Sequence, residues 1–169
     1  MRKVIDGLYV GTANEYENIK NDDSFYFVQA CKYPYHRNTV GYLGKSCPIN
    51  HPEYLYAIRD NRIVLNLIDA NTIEYIPKEI IDIALQKIHE NIKNGKKVFC
   101  HCNLGISRSP SICILYLRSI GFFEGKNAIE SILYFKNNIL ENYSPNKGIL
   151  DFVIKYWNDY ENINKGGNQ

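Results

Sequence analysis

The chain has 169 residues, of which 45% are hydrophobic and 22% charged, and this composition is typical of one globular domain with a full core. Its net charge of +2, without a block of like charge, argues against a protein that binds nucleic acid or membranes by bulk electrostatics. Five cysteines without disulfide-framework spacing, and no signal-like or membrane-spanning apolar run, predict a cytoplasmic protein with reduced thiols.

The pattern of apolar residues predicts strands that alternate with helices along the chain. Strands are expected at 8–11, 25–30, 62–69 and 96–101, and helices at 13–20, 50–59, 77–94, 109–120, 126–139 and 147–160. Continuously apolar strands that alternate with helices indicate a single α/β domain with a central, mainly parallel sheet flanked by helices. We expect the domain to span 1–163 and the tail 164–169 to be flexible.

The stretch V-F-C-H-C-N-L-G-I-S-R-S-P (98–110) joins a predicted strand to a predicted helix. In a parallel α/β sheet, functional groups collect where strands end and helices begin. Gly105 would let successive N–H groups turn inward as an anion nest, and the following helix N-terminus points its free N–H groups at the same place. Arg108 adds a planar fork that matches two oxygens of a tetrahedral oxyanion.

Cys102 would lie under this nest, where the positive field favours its thiolate form. Such a thiolate can attack the phosphorus of a phosphate ester while the loop N–H groups and Arg108 stabilise the equatorial oxygens. Ser109 could donate a hydrogen bond to the sulfur. A zinc site made of Cys100, His101 and Cys102 is disfavoured because adjacent strand residues point to opposite faces, and no metal or other cofactor is expected.

The segment H-C-N-L-G-I-S-R-S (101–109) resembles the phosphate-binding loop of cysteine-dependent dual-specificity phosphatases, within the protein tyrosine phosphatase superfamily. I-D-G-L-Y-V-G (5–11) and S-P-N-K-G-I-L (144–150) resemble other motifs of this family. The resemblance implies a protein tyrosine phosphatase-like fold and a phosphocysteine intermediate. It assigns the phosphate-binding loop to the residues Asn103, Leu104, Gly105, Ile106, Ser107 and Arg108.

The resemblance also implies a general acid, which in this family is an Asp about thirty residues before the cysteine. Asp69, 33 positions before Cys102, matches it, and Glu74 is a reserve that fits better as a solvated loop carboxylate. The catalytic residues are therefore expected to be Cys102, Arg108, Asp69 and Ser109. His101 is expected to support the loop through ring hydrogen bonds, as in the family.

The expected partner is a phosphorylated protein, bearing phosphotyrosine and also phosphoserine or phosphothreonine, with oxyanions such as phosphate, sulfate and vanadate binding in the loop. Neither nucleic acid nor membrane is expected to bind. Two alternatives stay open: a phosphatase of phosphoinositides or RNA 5′-phosphates, and a pseudophosphatase that binds phosphoprotein without turnover. The loop interior, 103–107, contains no cation, which favours a singly phosphorylated group over the first alternative.

Two further features leave their role open. The segment 31–49 is longer than the corresponding connection commonly is in the family, and its cations and tyrosines suit either the rim of an anion pocket or a loop packed by its own aromatic residues. Cys31 and Cys47 could serve as redox partners of Cys102, or they could be buried thiols like Cys100 and Cys113.

Overall fold

A computed structural model describes residues 1–164. Of the tail predicted at 164–169, Asn164 falls within this part; its N–H donates to the Ser119 carbonyl at 2.8 Å. The rest of the predicted tail lies outside the described residues. Among residues 1–164, no helix combines the length and apolar character that crossing a bilayer requires.

Six strands form one mixed sheet in the spatial order β1-β2-β6-β3-β5-β4. Their bounds are β1 Arg2–Ile5, β2 Leu8–Thr12, β3 Phe25–Gln29, β4 Tyr56–Arg59, β5 Arg62–Leu65 and β6 Lys97–Cys102. The four central strands are parallel, and β1 and β4 pair antiparallel at the two edges. The predicted α/β class with a mainly parallel sheet is therefore confirmed.

Helices cover both faces of the sheet, but unequally. The helices are α1 Ala13–Ile19, α2 Arg37–Val40, α3 Lys78–Lys93, α4 Arg108–Ser119, α5 Ala128–Asn138 and α6 Lys147–Lys155, with short helical turns at Lys32–His36, Ile73–Tyr75 and Asn158–Tyr160. Helices α3 and α4 pack on the sheet beside α5 and α6, around the main core, whereas α1 lies on the opposite face over a small aromatic cluster.

The alternation of side chains along β6 sends neighbouring residues into these two cores. Cys100 and Cys102 belong to the main core under α4, whereas Phe99 belongs to the aromatic cluster under α1. His101 follows the same alternation and lies against Phe99, with ring centroids 5.8 Å apart. Cys100 and Cys102 therefore lie on one face of the sheet and His101 on the other.

The predicted helix at 50–59 was wrong. Turns cover 49–54, and Tyr56–Arg59 forms an antiparallel hairpin with Arg62–Leu65. The segment is a strand because all four of its residues pair with β5, with Ala57 buried and Ile58 exposed. The edge strand Arg2–Ile5 was not predicted from the sequence. The last helix, predicted at 147–160, ends at Lys155, and a 3₁₀ turn follows at Asn158–Tyr160.

Candidate active site

Cys102 is the last residue of β6, and α4 begins six residues later at Arg108, one residue before the predicted start. Cys102 is 2% exposed. The hydroxyl of Ser109, in the first turn of α4, donates to its sulfur with Oγ and Sγ 3.3 Å apart. The thiol that the sequence selects is therefore at a strand–loop–helix junction and has a hydrogen-bond donor beside it.

The backbone of the loop 103–107 turns its carbonyls toward neighbouring segments. The Asn103 carbonyl accepts from Ala13 N–H at 3.3 Å, and the Ile106 carbonyl accepts from Ser144 N–H at 2.8 Å. Within residues 1–164, none of the N–H groups from Leu104 to Arg108 donates to a backbone carbonyl. Backbone N–H groups that no carbonyl of the described residues uses are available to an anionic ligand.

Gly105 is the residue whose conformation makes this loop possible. Its φ is +69°, in the left-handed region that favours glycine, and a Cβ on it would lie 2.7 Å from the Gly11 carbonyl oxygen. The loop therefore lies directly against the end of β2, and no other residue fits there without displacing backbone.

Arg108 brings a buried positive charge to the loop. Its side chain is 8% exposed, and Nη1 donates to the Leu67 carbonyl at 3.1 Å, while the buried Nε has no hydrogen-bond partner within residues 1–164. No carboxylate of the described residues forms an ion pair with it. A buried guanidinium with an unused donor favours an anionic ligand, since an unpaired buried charge is costly.

Asp69 is brought to the same loop from the region after β5. It is exposed, and its Oδ1 accepts a hydrogen bond from the Ser107 hydroxyl at 2.6 Å. Glu74 lies instead in the exposed 3₁₀ turn Ile73–Tyr75, where hydrogen bonding to Thr72 lowers its pKa. Of the two carboxylates considered from sequence, Asp69 is the one that the structure brings to the phosphate-binding loop.

The segment 144–148 joins the loop 103–107 to the segment that contains Asp69. Its sequence resembles a family motif, but the sequence alone did not assign it to the site. Asn146 donates through its backbone N–H to the Ser107 hydroxyl at 3.0 Å and through its side chain to the Asp69 carbonyl at 3.0 Å. Gly148 N–H donates to the Ala70 carbonyl at 3.1 Å. The motif S-P-N-K-G at 144–148 was the available signal, and its hydrogen bonds hold the segment that contains Asp69 against the loop 103–107.

The His101 ring lies under the loop, held both by aromatic packing and by a hydrogen bond with the Gln29 side chain. Its ring stacks on Tyr16 at 4.7 Å and meets Tyr35 edge-on at 4.9 Å, and Nε2 lies 3.1 Å from Nε2 of Gln29. Nδ1 is buried without a hydrogen-bond partner in the described part of the chain. Burial lowers the pKa of His101 to about 4, so the ring is neutral at neutral pH.

The other thiols are buried, as expected for Cys100 and Cys113. Cys31 is also fully buried, at the end of β3, and burial raises the pKa of its thiol to about 12 although the Arg108 charge opposes this shift. Burial likewise raises the pKa of Cys47. Neither Cys31 nor Cys47 carries an activated thiol in this structure.

Residues 29–157 match the family model described as dual specificity phosphatase, catalytic domain. Dual specificity protein phosphatase 22-A of Danio rerio is 24% identical over 162 residues, covering 95% of this chain and 69% of that protein. Human dual specificity protein phosphatase 5 is 38% identical over 64 residues, which are 38% of this chain and 16% of that protein.

Among solved structures, that of the human tyrosine phosphatase-like serine/threonine/tyrosine-interacting protein matches with a TM-score of 0.64 and 17% identity. The match covers 95% of this chain and 97% of the other. At this level of identity the likeness is one of fold, and it extends over nearly the whole chain.

Proposed function

The chain belongs to the dual specificity phosphatase family of protein phosphatases, and we propose that it hydrolyses phosphate monoesters on proteins through a phosphocysteine intermediate. The catalytic domain is assigned to 1–163. The observation that carries the proposal is the buried Cys102 sulfur, which accepts from Ser109 at the base of a loop whose N–H groups from Leu104 to Arg108 donate to no backbone carbonyl within residues 1–164. Phosphotyrosine is the first substrate to consider, followed by phosphoserine and phosphothreonine.

In the first step, the thiolate of Cys102 attacks phosphorus, so an S–P bond forms as the P–O ester bond breaks. The loop N–H groups and the guanidinium of Arg108 stabilise the three equatorial oxygens of the transferring group. Asp69, protonated in this step, gives its proton to the departing oxygen. The Ser107 hydroxyl bonded to Asp69 supports this role, because it keeps the carboxyl group at the edge of the loop.

In the second step, a water molecule attacks phosphorus and the S–P bond breaks. The Asp69 carboxylate accepts a proton from that water, which restores the acid, and phosphate leaves the loop. Ser109 donates to the sulfur as negative charge returns to it, and this contact stabilises the leaving thiolate. The same loop is expected to bind phosphate, sulfate and vanadate.

The alternatives are weaker on specific observations. A phosphoinositide carries several phosphates, yet the loop interior from Asn103 to Ser107 has no cation to meet a second one. A pseudophosphatase is disfavoured because the nucleophile, the arginine and the carboxylate are all present and close to one loop. Five free thiols support a reducing compartment such as the cytoplasm as the place of action.

The test is hydrolysis of p-nitrophenyl phosphate by wild-type protein and by Cys102→Ser, with EDTA present, followed by a panel of phosphopeptides. Turnover that resists EDTA and disappears in the variant supports the thiolate mechanism. Asp69→Asn should slow alkyl phosphates, whose leaving group needs a proton, more than aryl phosphates. Equal losses on both would remove Asp69 from the acid role, and a folded wild-type protein that binds phosphopeptide without turnover would favour the pseudophosphatase.

A further inference from the structure

The direction of each N–H group in the phosphate-binding loop depends on the carbonyl of the preceding residue. In a planar trans peptide the C=O and the N–H point in opposite directions, so a bond that holds the carbonyl outward turns the following N–H inward. The Asn103 carbonyl is held by Ala13 N–H at 3.3 Å, and the Ile106 carbonyl is held by Ser144 N–H at 2.8 Å. Each bond therefore fixes the direction of the next N–H along the loop.

The carbonyl of Ser107 is held by a side chain as well as by backbone. It accepts from the Ser111 N–H at 3.2 Å and from the Ser111 hydroxyl at 2.7 Å. Ser107 is the N-cap of α4, and its φ of −127° and ψ of −79° lie outside the helical conformation. The peptide plane that contains this carbonyl also contains the Arg108 N–H, the last donor of the loop. The two bonds from Ser111 therefore determine where that N–H points.

The hydroxyl of Tyr143 begins a hydrogen-bond chain that ends on the Ser107 carbonyl. Its oxygen lies 2.8 Å from the Ser111 hydroxyl oxygen. A carbonyl can only accept, so Ser111 donates its one hydroxyl proton to Ser107, and the Ser111 oxygen accepts from Tyr143. Donation from Tyr143 polarises the Ser111 hydroxyl, and this strengthens the bond that Ser111 makes to the carbonyl. The geometry thus gives the chain one direction, from Tyr143 through Ser111 to Ser107.

This hydrogen-bond chain is buried along its whole length. Tyr143 is 1% exposed, Ser111 4% and Ser107 2%. The Tyr143 ring packs edge-on against Phe135 of α5, with ring centroids 5.7 Å apart. Burial raises the pKa of the Tyr143 hydroxyl, so the phenol keeps the proton that it donates. Because water does not compete for these groups, loss of one hydroxyl weakens the chain instead of being replaced by solvent.

We propose that Tyr143 is a positioning residue for phosphoryl transfer, which acts through Ser111 to aim the Arg108 N–H at an equatorial oxygen of the transferring group. The inference rests on the proposed function and adds to it a residue that lies outside the phosphate-binding loop. Ser144, the next residue, holds the adjacent peptide plane through the Ile106 carbonyl. The segment 143–144 therefore sets the direction of two successive donors of the loop.

The experiment compares wild type with Tyr143→Phe, which removes the hydroxyl and keeps the ring. Tyr26→Phe is the matched control, because Tyr26 is also buried but its hydroxyl has no hydrogen-bond partner within residues 1–164. The measured quantities are kcat/KM for one aryl and one alkyl phosphate, the dissociation constant of tungstate by calorimetry, and stability by urea unfolding. Ser111→Ala, alone and combined with Tyr143→Phe, tests whether the effect passes through Ser111. Ser111→Ala leaves the aromatic core intact, so it carries the test if Tyr143→Phe does not fold.

We expect Tyr143→Phe to lower kcat/KM about fivefold for both phosphates and to weaken tungstate binding by a similar factor, as for the loss of one hydrogen bond. The loss should be equal for aryl and alkyl phosphates because their equatorial oxygens are the same. Ser111→Ala should lose at least as much, and adding Tyr143→Phe to it should cause no further loss. Tyr26→Phe should leave activity and tungstate affinity unchanged.

Several results would overturn the proposal. Lower stability of Tyr143→Phe with unchanged kcat/KM and tungstate affinity would make the hydroxyl merely structural, and losses that add in the double variant would rule out action through Ser111. A greater loss for alkyl than for aryl phosphates would place the effect on Asp69 rather than on the Arg108 N–H. If wild type turns over no phosphate ester, the proposed function fails, and tungstate binding still tests this inference. Equal tungstate affinity in wild type and Tyr143→Phe, or no binding to either, would reject it.

Discussion

Replacing His101 by glutamine tests how a buried neutral imidazole under the active-site loop affects stability. His101 is 0% exposed and packs between the rings of Tyr16, Tyr35 and Phe99. Burial lowers the pKa of His101 from 6.5 to about 4 in the folded protein. Between these two values the unfolded chain binds a proton that the folded chain does not, so stability falls as the pH falls from 6.5 toward 4.

The size of the effect follows from the shift. One pKa unit corresponds to about 1.4 kcal/mol, so lowering the pH from 7 to 5 should remove about 2 kcal/mol of unfolding free energy through His101 alone. The stability that comes from keeping His101 neutral is fully present above pH 6.5, the pKa of histidine in the unfolded chain, and is completely lost below pH 4. His101→Gln lacks this titration, so its stability should depend less steeply on pH over the same range.

Urea unfolding at pH 7, 6, 5 and 4.5 measures this difference for wild type and His101→Gln. The glutamine variant can be less stable throughout, because it loses the ring packing, but the gap between the two proteins should narrow by about 2 kcal/mol between pH 7 and pH 5. A gap that stays constant with pH would show that His101 is not held neutral by burial, and would refute the reasoning.

Three further substitutions test the geometry of the site. Gly105→Ala should reduce activity tenfold or more, because a side chain at positive φ costs ~1–2 kcal/mol and its Cβ would also clash with the Gly11 backbone. Gly125→Ala is the control: it has a positive φ too, but its Cβ would meet open space, so full activity should remain. Ser109→Ala should lower kcat by about 10-fold or more, since a hydrogen bond to a charged group is worth ~1.5–3 kcal/mol, and rapid-quench kinetics should show a burst of product as the intermediate accumulates. Asn146→Ala removes an exposed hydrogen bond to the Asp69 carbonyl, worth about 1 kcal/mol, so turnover of alkyl phosphates should fall about fivefold and that of aryl phosphates less. An equal fall for both substrates would mean that Asn146 supports the fold of the loop rather than the position of Asp69.

Local patterns in the sequence were sufficient for the elements that define the fold class. The 3.6-residue period of α3 and the apolar runs of the central strands each specify an element through contacts within a few residues and burial against a single layer. The segment 50–59 misled the reading because a proline near an asparagine is also found in turns. Pairing with β5 decided that segment, and such pairing depends on a partner strand rather than on local propensity.

The chemistry of the site was visible in one short stretch, from His101 to Ser109, because a strand–loop–helix junction brings its own residues together. What only the tertiary structure decided involves residues far apart in the chain. Asn146 reaches Asp69 and Ser107 across 77 and 39 positions, and Tyr143 reaches Ser111 across 32. Composition shows that tyrosines are present, but which buried hydroxyl has a hydrogen-bond partner, as in Tyr143, and which has none, as in Tyr26, is determined by packing between distant segments.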